Sequence, residues 1–339
     1  MMLRIKQSYL NLLEANPRNL PRRIAYGFLC LLSGLYWLAV YLRNFFYDWG
    51  IFPSWWAQSK VISVGNISWA GSGKTSLVIW LREQFCQQFK TAILRRGYGE
   101  DEGKLLLEAG SKVFSSPDRL GLARKLDSDF ELFILDDGFQ YRRLKRTVDL
   151  VVMGAREFRN KPRLIPAWIF REPLSSLKRA DIIVVNYSDE LFDRAQISDL
   201  INKFSPQSRL FFSGYQVKGF FDLAANPVDL NWLKGKETAA FTAIGYPEGF
   251  FNKLQQSGLD ISRKIVYPDH YQLKAAEYLK LEDGLLSAGI SDLIITAKDK
   301  YHFPLGEKRL NIIVMEITVE IENSKGFIEV LQTKLAGKL

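Results

Sequence analysis

The loop "SWAGSGKTS" (68–76) joins two segments of opposite character. Upstream, "KVISVG" (60–65) is a short apolar run rich in β-branched residues, the pattern of a buried strand. Downstream, "KTSLVIWLREQFCQQF" carries Leu77, Val78, Trp80, Leu81 and Phe85 at near-helical spacing. Strand, glycine loop and helix N-terminus in that order form a phosphate cradle. Loop N–H groups close around phosphate oxygens, Lys74 reaches the β/γ-phosphates and Thr75 holds Mg²⁺. Unpaired N–H groups and the helix dipole both favour an anion there. Residues Ser68, Trp69, Ala70, Gly71, Ser72, Gly73, Lys74, Thr75 and Ser76 are the expected nucleotide-binding set. Ser68 stands where the general pattern has Gly. The bland alternative is an ordinary Gly/Ser turn before a helix.

Further apolar runs follow at 91–95, 132–136, 149–153, 181–186, 238–245, 292–297 and 310–317, separated by longer connections. Short strands that are apolar on both faces predict a parallel sheet covered by helices on both sides. The expected fold is therefore an α/β, P-loop NTPase-like, doubly wound, mostly parallel sheet in two lobes, preceded by an N-terminal membrane-anchor helix. The boundaries expected are an N-terminal extension and anchor over 1–58, a P-loop lobe over 59–205 and a C-terminal α/β lobe over 206–339, with a hinge within 202–235. A chain of 339 residues that is 47% hydrophobic has the material for such a body.

The anchor rests on "IAYGFLCLLSGLYWLAVYL" (24–42), which has no formal charge. As a helix it reaches roughly 28 Å, close to the hydrocarbon thickness of a bilayer. Arg22, Arg23 and Arg43 flank it, and Tyr36, Trp37, Tyr41, Trp49, Trp55 and Trp56 are residue types that settle at headgroup level. A buried core helix is the alternative, and crossing the bilayer or lying in one leaflet are both compatible with the sequence. The net charge of +9 suits an anionic membrane, a phosphorylated substrate or nucleic acid, but no nucleic-acid-binding motif accompanies it. Two cysteines, Cys30 and Cys86, are too few for a disulfide framework or a zinc site.

Candidate chemistry gathers in three places. "FELFILDDGFQYRRLKR" (130–146) ends an apolar strand in Asp136 and Asp137, placing carboxylates where a P-loop needs an acid for Mg²⁺ opposite Thr75. Adjacent strand residues point to opposite sides, so one acid is expected at the metal and the other at nucleotide or substrate; a helix cap or turn is the alternative. The basic run Arg142, Arg143, Lys145, Arg146 is either a solvated face or a seat for an anionic substrate. In "RRGYGEDEGK" (95–104) the glycines predict a mobile loop offering Asp101 and Glu102. Of the two histidines, His270 lies beside Asp269 in "YPDHYQL", and His302 has less to suggest chemistry.

Taken together, "VISVGNISWAGSGKTSLV", "RRGYGEDE", "LDDGFQYRRL", "LIPAWIFREPLSSLKRADIIVVN", "AIGYPEGFF", "YPDHYQL" and "ITAKDK" closely resemble the tetraacyldisaccharide 4′-kinases of lipid A synthesis. The resemblance implies a kinase using ATP and Mg²⁺ to phosphorylate the 4′-hydroxyl of an acylated glucosamine disaccharide 1-phosphate. It also implies a lipid-bound location on the cytoplasmic face of the bacterial inner membrane. By the same resemblance, Lys74 and Thr75 match the phosphate and Mg²⁺ ligands, Asp136 and Asp137 match the acidic pair, and Asp101 with His270 match the pair that takes the acceptor proton. Glu102, Arg142 and Arg171 are expected on the acceptor side. Departures are Tyr141 where His is common, Arg95 where Ser is common and Ala297 where Glu is usual. The rival reading is a membrane-associated P-loop ATPase or GTPase switch acting on a protein partner.

Overall fold

The chain opens its described part with a 29-residue helix, α1 (Leu20–Asp48). There follow β1 (Lys60–Gly65), α2 (Lys74–Phe85), β2 (Thr91–Arg95), α3 (Glu100–Glu108), β3 (Lys112–Ser115), α4 (Arg119–Leu126), β4 (Leu132–Asp136), β5 (Val148–Gly154) and β6 (Ile182–Asn186). The remainder is α5 (Arg194–Phe204), β7 (Arg209–Phe221), β8 (Thr238–Thr242), α6 (Pro247–Gln256), β9 (Arg263–Val266), α7 (Ala275–Ser287), β10 (Asp292–Thr296), β11 (Asn311–Ile321) and α8 (Ser324–Ala336). This computed structural model describes residues 20–69, 71–97, 100–158, 162–186, 192–269, 271–304 and 308–337, with the backbone alone for residues 20, 22, 100 and 101.

Two compact units interleave along the chain. The first contains the chain up to Gly97, Ser111–Ser213 and the chain from Ile321 onward; the second contains Gly214–Glu320 and the segment ending at Gly110. In the first unit the strand order is β3-β2-β4-β1-β5-β6-β7, and in the second it is β7-β11-β10-β8-β9. Strand β7 carries the chain out of the first unit and β11 leads it back. Pairings from β3 through β7, and among β11, β10, β8 and β9, are parallel. The doubly wound α/β body expected from the apolar runs is present.

Both faces of the first sheet are buried: on one, Val61, Leu94, Phe133 and Leu135 pack under α4 and Val151, Ile183 and Val185 pack with Phe139, while Ile62, Ile93, Ile134, Leu150 and Val184 are buried on the other. In the second unit Phe241, Leu293 and Ile295 meet Tyr278 and Leu285 of α7, and Ala240, Ile294 and Ile313 meet Phe250 and Leu254 of α6.

Helix α1 belongs to the first unit and has two unlike faces. Tyr26, Leu29 and Tyr36 pack on the core, and Val40 is buried. On the same face the Ser33 hydroxyl donates to the Leu164 carbonyl (2.9 Å), Tyr36 to the Arg171 carbonyl (3.1 Å), and Arg43 Nη2 to Glu172 Oε1 (2.7 Å). Glu172 is fully buried, is also paired with Arg179 (2.6 Å), and takes the Asn44 amide at 3.2 Å. The opposite face presents Ile24, Phe28, Leu31, Leu35, Leu38 and Leu42, all exposed at alternating spacings of four and three. Among the described residues this is the one helix long and apolar enough to cross a membrane.

One expectation about the connections is corrected, and a second takes definite form. The glycine-bearing stretch 95–104, expected as a mobile loop, is helical from Glu100. Glu102 adds negative charge to the first turn, where the dipole favours it, and Leu106 is fully buried. The stretch 202–235, expected to hold the hinge, contains the 13-residue strand β7, within which the chain passes from the first unit to the second. Its companion α8 closes the first unit: Phe327, fully buried, meets Trp80 and Phe211 at centroid distances of 5.7 and 5.1 Å. Lys334 pairs with Asp181 at 2.5 Å, and Lys60 Nζ donates to the Leu335 carbonyl at 2.7 Å.

Candidate active site

β1 runs between β4 and β5, with Val64 beside Asp136 and Gly65 beside Val151. The chain therefore leaves β1 at the carboxyl edge of a parallel sheet, the edge at which open α/β folds bind ligands. Two glycines make the exit possible. A Cβ on Gly65 would lie 2.5 Å from both Cβ and N of Phe139, and one on Gly138 would lie 2.5 Å from Ser63 Oγ. The end of β1 and the turn after β4 are thus pressed together, closed by a Gly138 N–H to Val64 carbonyl bond of 3.0 Å. At the far end of the loop Gly73, at φ +87°, turns the chain into α2. That is a left-handed conformation that glycine adopts without cost.

Between these glycines, Asn66 organises the loop. It is fully buried, and its Nδ2 donates to Ser72 Oγ at 3.1 Å and, more distantly, to Ser68 Oγ at 3.5 Å. Its carbonyl takes the Gln140 amide (2.8 Å), and its Oδ1 accepts from Arg171. The loop is also held from outside: Trp69 N–H donates to the Ile169 carbonyl at 3.0 Å, and Asn186 Nδ2 to the Ser72 carbonyl at 3.2 Å. Ser68 is fully buried, whereas the Trp69 side chain is half exposed. Ala70 falls outside the described residues. Lys74 and Thr75 open α2, Thr75 being buried and Lys74 placed 3.7 Å from Asp137.

The acidic pair divides as adjacent strand-end residues should. Asp136 ends β4, is buried, and faces Arg95 Nε at 4.0 Å. Asp137, at φ +50°, turns its carboxylate to Arg171, which grips it with Nη1 at 3.0 Å and Nη2 at 2.8 Å. Burial pushes the Asp137 carboxyl up. The hydrogen bonds from Arg171 and the charges of Lys74, Arg171 and Arg119 outweigh it and hold the group well below the usual carboxylate range. Arg119 supports the turn by donating Nη1 to the carbonyls of Asp136 (2.8 Å) and Asp137 (3.1 Å). Thr75, Asp136 and Asp137 offer hydroxyl and carboxylate oxygens, one of the carboxylates held firmly ionised. Such a donor set fits Mg²⁺, which takes one or two carboxylates and completes its octahedron with phosphate and water.

The structure brings Lys74, Asp137 and Arg171 together and places others elsewhere. Arg142 is engaged with α1, donating to the Asn44 carbonyl (3.0 Å) and Asp48 (2.6 Å) while lying over the Tyr47 ring. Glu102, in the second unit, pairs with Lys298 at 2.8 Å. Of Asp101 only the helical backbone in α3 is described, and His270 lies outside the described residues. His302 is buried against Asp299 Oδ1 at 3.2 Å, a structural pairing that also fixes the Ala243 N–H. Three supporting residues, Asn66, Arg119 and Gln140, were not singled out from the sequence. Asn66 had a signal, a polar residue directly after a buried strand; the others are assembled by contacts distant in the chain.

A buried parallel strand, a glycine loop, a lysine opening the next helix and a carboxylate pair at the sheet edge define a P-loop nucleotide-binding protein. Within that class the family model for tetraacyldisaccharide-1-P 4′-kinase (LpxK) matches residues 25–336, and the chain belongs to this family of kinases. A tetraacyldisaccharide 4′-kinase of Halothermothrix orenii is 28% identical, covering 96% of this chain and 97% of its own. One of Psychrobacter cryohalolentis is 31% identical over 82% of this chain and 80% of its own. Among solved structures, the "apo" form of LpxK from Aquifex aeolicus in complex with ATP superposes with a TM-score of 0.71 at 25% identity, covering 92% of this chain and 99% of that one.

Proposed function

We propose that this chain transfers the γ-phosphate of ATP to the 4′-hydroxyl of a tetraacyldisaccharide 1-phosphate in lipid A biosynthesis. The observation that carries the reading is the P-loop itself, with Lys74 and the Asp136–Asp137 pair on one sheet edge, in a chain matched by the kinase family over residues 25–336. The loop N–H groups and Lys74 hold the phosphates, Thr75 and the acidic pair hold Mg²⁺, and Arg171 keeps Asp137 ionised and oriented. When bound, Mg²⁺ neutralises phosphate charge as the loose transition state forms. Asp101 and His270 are assigned the acceptor proton, with carboxylate and imidazole acting as one base near neutral pH. Glu102 and Arg171 remain the acceptor-side candidates, while Arg142 acts through α1.

Helix α1 supports membrane association, and we assign the chain to the cytoplasmic face of the inner membrane. Its contacts with the first unit run from Tyr26, under the Arg163 guanidinium, to Asp48, a length of about 33 Å at 1.5 Å per residue. A helix bound along that length to a polar body lies in the membrane surface, and its outward apolar face enters one leaflet. Between α1 and residues 162–175 lies a cavity of about 440 Å³, lined by Ser33, Trp37, Arg163, Phe170 and Leu174 among others. An acyl chain delivered from that leaflet matches its apolar walls.

Incubating the protein with ATP, Mg²⁺ and a synthetic tetraacylated disaccharide 1-phosphate tests the proposal. Mass spectrometry should find one added phosphate on the distal sugar and none with Lys74→Ala. Release of ADP with no phosphorylated lipid would point instead to a P-loop ATPase acting on another partner.

A further inference from the structure

One buried carboxyl close to the loop takes no part in the chemistry above. Glu157 lies just beyond β5, the strand next to β1, and is 3% exposed. Its Oε1 accepts the Gly154 N–H at 2.9 Å, and the Ser68 hydroxyl hydrogen-bonds to the same carboxyl. Ser68 is the first residue of the cradle and is itself fully buried, with its backbone bridged to Phe170. Glu157 thereby ties the entrance arm of the loop to the end of the neighbouring strand. It does so with an ionisable group where a neutral amide would make the same two bonds.

We propose that Glu157 is a positioning residue that sets the entrance arm of the loop through Ser68, and that its charge tunes affinity for the polyphosphate of ATP. The inference rests on the reading of residues 68–76 as the ATP cradle. The charged groups facing Glu157 are Lys74 from α2 and Arg171 from the segment after Phe170, and both are shared with Asp137. With those two cations already engaged by Asp137, burial prevails and the Glu157 carboxyl is pushed up to about 7. Near neutral pH it is therefore divided between a neutral form, which leaves both cations to the phosphates, and an anion, which competes for them. The carboxylate form should bind ATP more weakly, and polyphosphate in the cradle should draw a proton onto Glu157.

The test compares wild type with Glu157→Gln, which keeps size and hydrogen bonding and removes the charge, measuring Kd for ATP by calorimetry from pH 6 to 8.5. Because ATP itself titrates in this range, the informative quantity is the ratio of the two Kd values. At pH 6 the proteins should agree. By pH 8.5 wild type should be weaker by about tenfold for each unit by which bound polyphosphate raises the carboxyl's pKa, and wild type should take up protons on binding where Glu157→Gln takes up fewer. Ser68→Ala should weaken ATP binding at every pH and, by removing a hydrogen bond that favours the Glu157 carboxylate, move the onset of the pH dependence upward. A Kd ratio constant across the range, or a Glu157→Gln protein that fails to bind ATP at any pH, would overturn the inference. Failure of wild type itself to bind ATP would overturn the cradle instead.

Discussion

Replacing Gly65 by alanine is the most direct probe of how the loop is held. The added Cβ would sit 2.5 Å from the Phe139 backbone nitrogen and 2.5 Å from its Cβ, against an ordinary contact of 3.4–4 Å. Phe139 is fully buried, so neither atom has space to retreat. Relief requires the end of β1 and the turn after β4 to separate by about 1 Å, which lengthens the Gly138 N–H to Val64 carbonyl bond as well. Overpacking of this kind costs about 1–3 kcal/mol, and the compromised hydrogen bond about 1 kcal/mol more. For a unit of roughly 200 residues at about 2–4 °C per kcal/mol, the midpoint of thermal unfolding should fall by about 5–15 °C. The same separation moves Asp137 relative to Lys74, so ATP affinity should fall with stability. Gly27→Ala supplies the control, since a Cβ there meets nothing within 4 Å and alanine favours a helix. A Gly65→Ala protein with wild-type melting and wild-type ATP binding would refute the claim that close approach at Gly65 builds the site.

Two further outcomes follow from charges described above. Glu172→Ala leaves the largely covered Arg179 without its carboxylate and should cost about 3 kcal/mol, read by denaturant unfolding. Arg43→Ala keeps the Glu172–Arg179 pair and should cost much less, while loosening α1 enough to raise its susceptibility to limited proteolysis. Asp137 ionises more readily in the folded protein than in the unfolded chain. Its contribution to stability is therefore complete above the ordinary aspartate pKa of about 4 and declines as pH falls toward its depressed native value. Asp137→Asn should flatten the dependence of melting temperature on pH below about 4, and an unchanged slope would count against the Arg171 clamp.

Much of the first unit could be read directly because its signals are local. A strand buried on both faces announces itself by continuous apolar composition, as β1, β4, β5 and β6 do, and the loop chemistry of residues 71–75 is contiguous. β3 and β9 escaped notice because each is four residues long and only partly buried, so little apolar pattern distinguishes them. β7 escaped for a different reason: its Gly and Gln residues interrupt the aromatic alternation, and the strand is specified by its neighbours. The partner of Asp137, Arg171, stands between Phe170 and Glu172 with no basic run around it, and only the family resemblance drew notice to it. Which basic residue reaches the acid and which braces a helix depends on contacts over separations of 34 residues for Arg171 and 94 for the Arg142–Asp48 pair. No pattern within one segment carries that information. Membership of residues 100–110 in the second unit is likewise a matter of packing partners such as Lys298.

The return of the chain to its first unit has a consequence for how the protein is made. Phe327 and the rest of α8 complete a surface whose other half, Trp80 and Phe211, emerges from the ribosome more than a hundred residues sooner. At bacterial translation speeds that interval is roughly 5–20 s, long beside the microseconds to milliseconds in which helices and small sheets organise. Throughout it the nascent nucleotide-binding half displays an uncovered aromatic seat beside an already synthesised greasy helix. Chaperone engagement, or early capture of that helix by lipid, has its natural window there.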